Sequence, residues 1–174
     1  MRSPAAVAPF VVGVIALAFV TLPLDRAAVA AFTAAVLVVL SAIDIERRII
    51  PNRIVLPAAG IVLVAQIALF PDRALEWALA AIIAALALLI AHLFNRSGMG
   101  MGDVKLALLL GAALGWGVLG ALLLGFMCTF PVAIWMLIRG GTAARKTPIP
   151  LAPFLSLGAL IVLFGPHIAG LPTS

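Results

Sequence analysis

Charge is scarce in this chain. Only 10% of its 174 residues are Asp, Glu, Lys or Arg, against 66% hydrophobic. A water-soluble domain is usually about a quarter charged and about half apolar, so most of this surface must face something other than water. Cysteine is almost missing. Cys128 stands alone, which excludes an intrachain disulfide and a thiol-paired zinc site. Histidine is nearly as rare: His92 and His167 make no local metal motif and read as helix-end packing residues. No metal and no cofactor is therefore expected. The segments between apolar runs are short, leaving no soluble domain, and no convincing internal repeat is present. The net charge of +5 is not a nucleic-acid signal in such a chain, because basic residues of polytopic proteins sort to cytoplasmic loops. Lipid is the expected surrounding, and nucleic acid is not an expected partner.

What the chain does have is apolar runs near the ~20 residues that span a bilayer. Charges and turn residues cut it into helices expected over 5–24, 27–43, 54–70 and 74–94, a short fifth from 106, a sixth from 118 to 138 and a seventh over 151–168. The stretch 106–138 is too long for one span, and Gly115-Trp116-Gly117 supplies the turn that divides it. The first run exceeds the ~7–15 residues of a signal-peptide core. Cleavage after Ala30 would also leave too short a run before Asp44 to cross a membrane, so 5–24 reads as a retained helix. The expected fold is all-α: a polytopic transmembrane bundle of about seven spans. It forms one membrane domain over 1–174, with an extra N-terminal helix, 5–24, ahead of a six-helix core, 27–168.

Arginine and lysine orient it. Seven spans put Arg2, Arg47, Arg48, Arg53, Arg96, Lys105, Arg139, Arg145 and Lys146 on the side of the N-terminus, and only Arg26 and Arg73 on the other. Treating 106–138 as one span would divide the basic residues almost evenly. The positive-inside rule therefore favours seven spans with the N-terminus cytoplasmic.

Six acidic residues remain to be placed. Asp25 and Asp72 lie beside Arg26 and Arg73 and read as helix-end punctuation. Glu76 suits the first turn of a helix, where the macrodipole favours a carboxylate. Glu46, next to Arg47 and Arg48, reads as a solvated loop charge. Asp44 and Asp103 differ. Asp44 directly ends helix two and Asp103 directly opens helix five, so both fall on the basic side at similar depth. Two carboxylates brought together can hold one proton and one water between them, one acting as general base and the other as general acid. That is aspartic-protease chemistry without a metal. Topology alone also allows an N-cap for Asp103 and an interfacial charge for Asp44. The alternating Gly98-Met99-Gly100-Met101-Gly102 run adds a loop that backbone could approach closely.

These residues resemble the motifs of the type IV prepilin peptidases. Gly100-Met101-Gly102-Asp103, continuing into Val104-Lys105-Leu106, is similar to the family's Gly-x-Gly-Asp motif. Asp44 ahead of Ile50-Pro51-Asn52 is similar to its other aspartate motif. Pro150-Leu-Ala-Pro-Phe-Leu155 resembles the run opening the family's last helix, with Leu151-Ala152 where Phe-Gly is usual. The resemblance covers about 43–165. It implies a membrane aspartic endopeptidase that removes the short basic leader of prepilins or pseudopilins at the cytoplasmic face of the inner membrane. Asp44 and Asp103 would be catalytic, and Gly100, Gly102, Lys105, Pro51 and Asn52 would contact substrate. Many bacterial members also methylate the new N-terminus and carry a segment with paired Cys-x-x-Cys. With one cysteine, this sequence looks like the short form, as in dedicated Tad/Flp-pilus or archaeal-type peptidases, and methylation is left unassigned. Two other readings compete. A presenilin-type Gly-x-Gly-Asp protease would pair the motif with Tyr-Asp, yet the chain has no tyrosine. A small transporter or membrane-assembly factor could use rim carboxylates, but such proteins often show repeats and midplane sites.

Overall fold

The computed structural model describes residues 4–94, 99–144 and 150–168, all helical apart from short connections. The helices are α1 (Pro4–Thr21), α2 (Leu24–Arg47), α3 (Asn52–Leu69), α4 (Ala74–Phe94), α5 (Met101–Leu114), α6 (Val118–Ala144) and α7 (Ala152–Ile168). Turns of 3₁₀ helix lie at Pro71–Arg73 and Gly115–Gly117. No strand occurs among the described residues. Alanine and leucine, the strongest helix formers, dominate these segments. Prolines mark the starts: Pro23 and Pro51 are the N-caps of α2 and α3, and Pro71 opens its 3₁₀ turn. A missing N–H costs nothing there.

Several boundaries differ from the sequence expectation: α1 ends at Thr21 rather than 24, α2 starts at Leu24 rather than 27, and α6 runs to Ala144 rather than 138. Two further differences bear on the aspartates. α2 continues to Arg47, which places Asp44 in its last turn rather than at its end. Arg48 then adopts the left-handed conformation, φ 54°, and its N–H closes the helix on the Asp44 carbonyl oxygen at 2.8 Å. The charged Glu46-Arg47 pair suits a helix; the left-handed Arg48 ends it, and Pro51 keeps Ile50 from resuming it. α5 begins at Met101, so Asp103 is its third residue rather than its first.

The helices pair in a definite order. α4 packs chiefly on α5, α6 on α7, and α1 on α2. α5 runs beside α3, from Gly102 against Ile50 to Ala113, whose carbonyl accepts a hydrogen bond from Gln66 Nε2 at 3.0 Å. The chain then turns through Gly115, whose φ of +56° suits a residue without Cβ. Gly117 lies beside Val162 and Gly125 beside Leu155, so α6 runs antiparallel to α7 and back toward the starting end.

α5 is the buried centre of the bundle. Leu106, Leu109 and Leu110 are fully covered, as are Leu37 and Leu40 of α2 and Leu155 of α7. At Gly111 a Cβ would come within 2.5 Å of the Ala81 Cα; α4 and α5 touch backbone to backbone, the packing that small residues permit in membranes. The outside is the reverse of a soluble protein: Phe10 is 69% exposed, Val20 84%, Ile138 78% and Phe94 89%. Such a surface needs lipid, and helices meet the requirement that every backbone polar group be satisfied there. Four stretches, Leu24–Arg47, Asn52–Leu69, Pro71–Phe94 and Met101–Met136, are long and apolar enough to cross a membrane; Ala6–Thr21 and Ala152–Gly165 are apolar but shorter. The chain is an all-helical membrane protein.

Candidate active site

α2 and α5 carry the two singled-out carboxylates to one end of the bundle. Asp44 is 6% exposed and Asp103 8%. Burying a carboxylate is costly unless hydrogen bonds compensate, and each of these has a backbone amide. Asp44 Oδ2 accepts the N–H of Ala152 at 3.1 Å. Ala152 opens α7, and N–H groups in the first turn of a helix lack intrahelical acceptors. Asp103 Oδ2 accepts the N–H of Gly100 at 3.1 Å, while the Asp103 N–H bonds back to the Gly100 carbonyl at 3.1 Å. This reciprocal cap folds the Gly-Met-Gly-Asp run into a tight start for α5. The two carboxylates are near enough for their charges to interact; Arg48 acts electrostatically on Asp44 and His92 on Asp103.

The surrounding motif residues converge on the same end. Lys105 Nζ donates to Asn52 Oδ1 at 2.6 Å, tying the start of α5 to the start of α3. Pro51 is half-buried directly before Asn52. Gly102 packs against Ile50: a Cβ there would lie 2.8 Å from the Ile50 Cβ. The glycine thus admits a side chain of this protein. Gly100 is exposed, has φ −80°, and would place a Cβ no closer than 3.5 Å to the Asp103 carboxylate. Gly98 lies outside the described residues.

Three contributors were not read from the sequence as parts of this site. His92, in the last turn of α4, has Nδ1 2.7 Å from the Met99 carbonyl oxygen. A carbonyl only accepts, so Nδ1 carries the proton and donates. The histidine therefore clamps the strand of chain entering Gly100, beyond simple helix-end packing. Ala152 offers only an amide, which no side-chain motif reveals, although the Pro-rich run around it marks a helix start. Ile50 fills the space Gly102 leaves. The His167 side chain lies outside the described residues.

The other acids sit elsewhere. Glu76, in the first turn of α4 as expected, accepts two hydrogen bonds from Arg73, each 2.8 Å, and one from the Trp116 backbone, at the opposite end from Asp44. Glu46 lies on the last turn of α2 rather than in a loop. Among the described residues no three His, Cys, Asp or Glu side chains gather as a metal site. Chemically, the site offers two buried, amide-fixed carboxylates on different helices, with a lysine and a histidine at its edge.

Comparison with known proteins agrees on where the chain is distinctive. Residues 31–138 match the model of the type IV leader peptidase family, a span that holds both aspartates. A prepilin leader peptidase/N-methyltransferase of Stutzerimonas stutzeri is 34% identical over 140 residues, which is 76% of this chain and 48% of that protein. Proteins of the same description from Xanthomonas campestris pv. campestris and Pseudomonas aeruginosa are each 31% identical, covering 74% and 76% of this chain and 46% and 48% of theirs. The chain thus spans about half the length of the curated relatives it matches. No solved structure matches it. On the matched span and these relatives, the chain belongs to the type IV leader peptidase family.

Proposed function

We propose that this protein is a membrane aspartic endopeptidase that removes the short basic leader of a prepilin-like substrate, with Asp44 and Asp103 as its catalytic pair. One observation carries the reading: two carboxylates 59 positions apart in sequence, on different helices, are buried together at one end of the bundle. Each is held by a backbone amide through one oxygen, so the other oxygen of each is the place to hold a water. The relatives' description as prepilin leader peptidases names the substrate class.

In the proposed reaction one carboxylate is ionised and the other protonated. The ionised one takes a proton from water as its oxygen attacks the scissile carbonyl carbon. The protonated one gives its proton to the carbonyl oxygen. The carboxylate that took the water's proton gives it to the leaving nitrogen as the C–N bond breaks. A hydroxyl of the tetrahedral intermediate returns its proton to the other carboxylate as the C=O re-forms, so the pair again holds one proton. Lys105 and Asn52, joined across α5 and α3, together with Pro51 and the open Gly100, would line the approach of the substrate backbone; Gly102 would act through its seat on Ile50. Methyl transfer is not part of the proposal.

The membrane arrangement belongs to the same proposal: seven spans, with Asp44 and Asp103 at the cytoplasmic face of the inner membrane. It is supported by the basic residues, nine of eleven of which then share that side. The α5–α6 reversal at Gly115 is the feature that makes that count consistent. A substrate with a basic leader and an apolar stem would present the junction between them at this level.

The test is co-expression with a candidate prepilin, comparing wild type with Asp44→Asn and Asp103→Asn at matched membrane levels. Both variants should lose cleavage, by about 10²–10⁴-fold for the loss of a general acid or base. Wild-type processing by either variant removes the dyad.

A further inference from the structure

The end of the bundle away from the aspartates contains a cavity of about 240 Å³ that the proteolytic reading does not use. It opens beside the α1–α2 connection and the 3₁₀ turn before α4, where Leu22, Arg26, Phe70 and Arg73 contribute to its wall. Its polar lining carries two guanidinium groups, the Trp77 indole N–H, the Thr33 hydroxyl and the Gln66 amide. The Arg26 guanidinium lies 5.1 Å from the centre of the Phe70 ring, and the Arg73 guanidinium 5.2 Å from that of Trp77; all four residues line the cavity. Arg73 already has Glu76. Arg26 has no carboxylate partner among the described residues. Thr33 and Trp77, each more than nine-tenths buried in the wall, keep Oγ1 and Nε1 without a partner among the described residues. The amide nitrogen of Gln66, in the same wall, is spent on the Ala113 carbonyl. Val29, Leu114, Val162 and Leu163 make an apolar part of the wall.

We propose that this cavity binds an anionic phospholipid, its phosphate against Arg26 and the start of an acyl chain along the apolar wall. A guanidinium free of carboxylate and set over a ring keeps its N–H donors available, and their fork matches phosphate oxygens. An isolated interfacial arginine would extend to water; this one is folded back over Phe70 at the cavity mouth. The apolar part of the wall and the lipid-facing surface around it select an amphiphile over a free anion. The inference concerns the opposite end of the molecule from Asp44 and Asp103 and does not depend on their chemistry.

The full-length chain, purified in detergent and stripped of lipid, is titrated with phosphatidylglycerol, with phosphatidylcholine and with inorganic phosphate. Bound lipid is counted by native mass spectrometry, and thermal unfolding is followed in parallel. Phosphatidylglycerol is expected to bind and to raise the unfolding temperature. Arg26→Gln should weaken that binding roughly tenfold, the loss of a hydrogen bond to a charged group. Arg53→Gln, which removes an exposed arginine at the other end, controls for lost charge and should leave binding unchanged. Ala30→Leu fills the cavity with both arginines in place and should exclude the lipid while the protein still unfolds cooperatively. If Ala30→Leu does not fold, Arg26→Gln against Arg53→Gln decides. Equal binding of the two phospholipids, or equal losses in the two arginine variants, overturns the proposal. Protection by inorganic phosphate as strong as that by phosphatidylglycerol overturns the lipid assignment.

Discussion

Asp44 Oδ2 accepts a hydrogen bond at 3.1 Å from the backbone N–H of Ala152, 108 positions further along the chain. The bond joins the last turn of α2 to the first turn of α7, where free amides and the helix dipole favour negative charge. Asp103 has the equivalent support from its own loop, through the Gly100 N–H. Each carboxylate is thus oriented by backbone, which leaves side-chain rotation little freedom to misplace it. Replacing Ala152 with proline deletes this donor at a position where helices tolerate proline. Processing should fall about tenfold, the value of one hydrogen bond to a charged group, with membrane insertion retained. Comparing cleavage rate with membrane-fraction yield checks it, and an unchanged rate would show the contact to be incidental.

If Asp44 and Asp103 act as one unit, their losses should not add. Residues that share one chemical task show strong non-additivity. The double variant Asp44→Asn/Asp103→Asn should process no more slowly than the worse single variant. A double variant slower by the product of the single effects would mean two independent roles, and the shared-water mechanism would fall.

Gly100 and Gly102 should respond differently to alanine. A Cβ at Gly102 would meet the Ile50 Cβ at 2.8 Å, whereas at Gly100 its nearest neighbour would lie at 3.5 Å. Gly102→Ala should cost about 1–3 kcal/mol, as overpacking does, and Ile50→Ala in the same chain should recover much of it. Gly100→Ala should leave stability near wild type and act, if at all, on cleavage. Thermal unfolding of the three variants separates the cases; equal destabilisation at both glycines contradicts the packing described.

His92 should matter as a donor. Its Nδ1 holds the Met99 carbonyl at 2.7 Å, just ahead of the loop that caps Asp103. Asparagine places an amide nitrogen near the same point, and leucine offers none. His92→Leu should lower processing by roughly tenfold, mainly in kcat, while His92→Asn should retain most of it. Equal losses in the two variants would assign the histidine to packing alone.

Much of this protein was legible in its sequence, and the division has a physical cause. The apolar runs announced helices because a lipid-facing chain must satisfy its backbone within each segment, a requirement written residue by residue. Gly115-Trp116-Gly117 announced its turn for a similarly local reason, the positive φ that Gly115 adopts. Asp44 and Asp103 stood out because each sits in a short motif whose order along the chain is visible. Tertiary structure decided what lies between distant positions. The Asp44–Ala152 bond depends on how α7 docks. One orphan amide looks like any other in sequence, so nothing local says which carboxylate it will meet. His92 on Met99, Gly102 on Ile50 and Arg26 over Phe70 are likewise products of packing. Local chemistry nominated the aspartates; only the folded bundle determined what holds them.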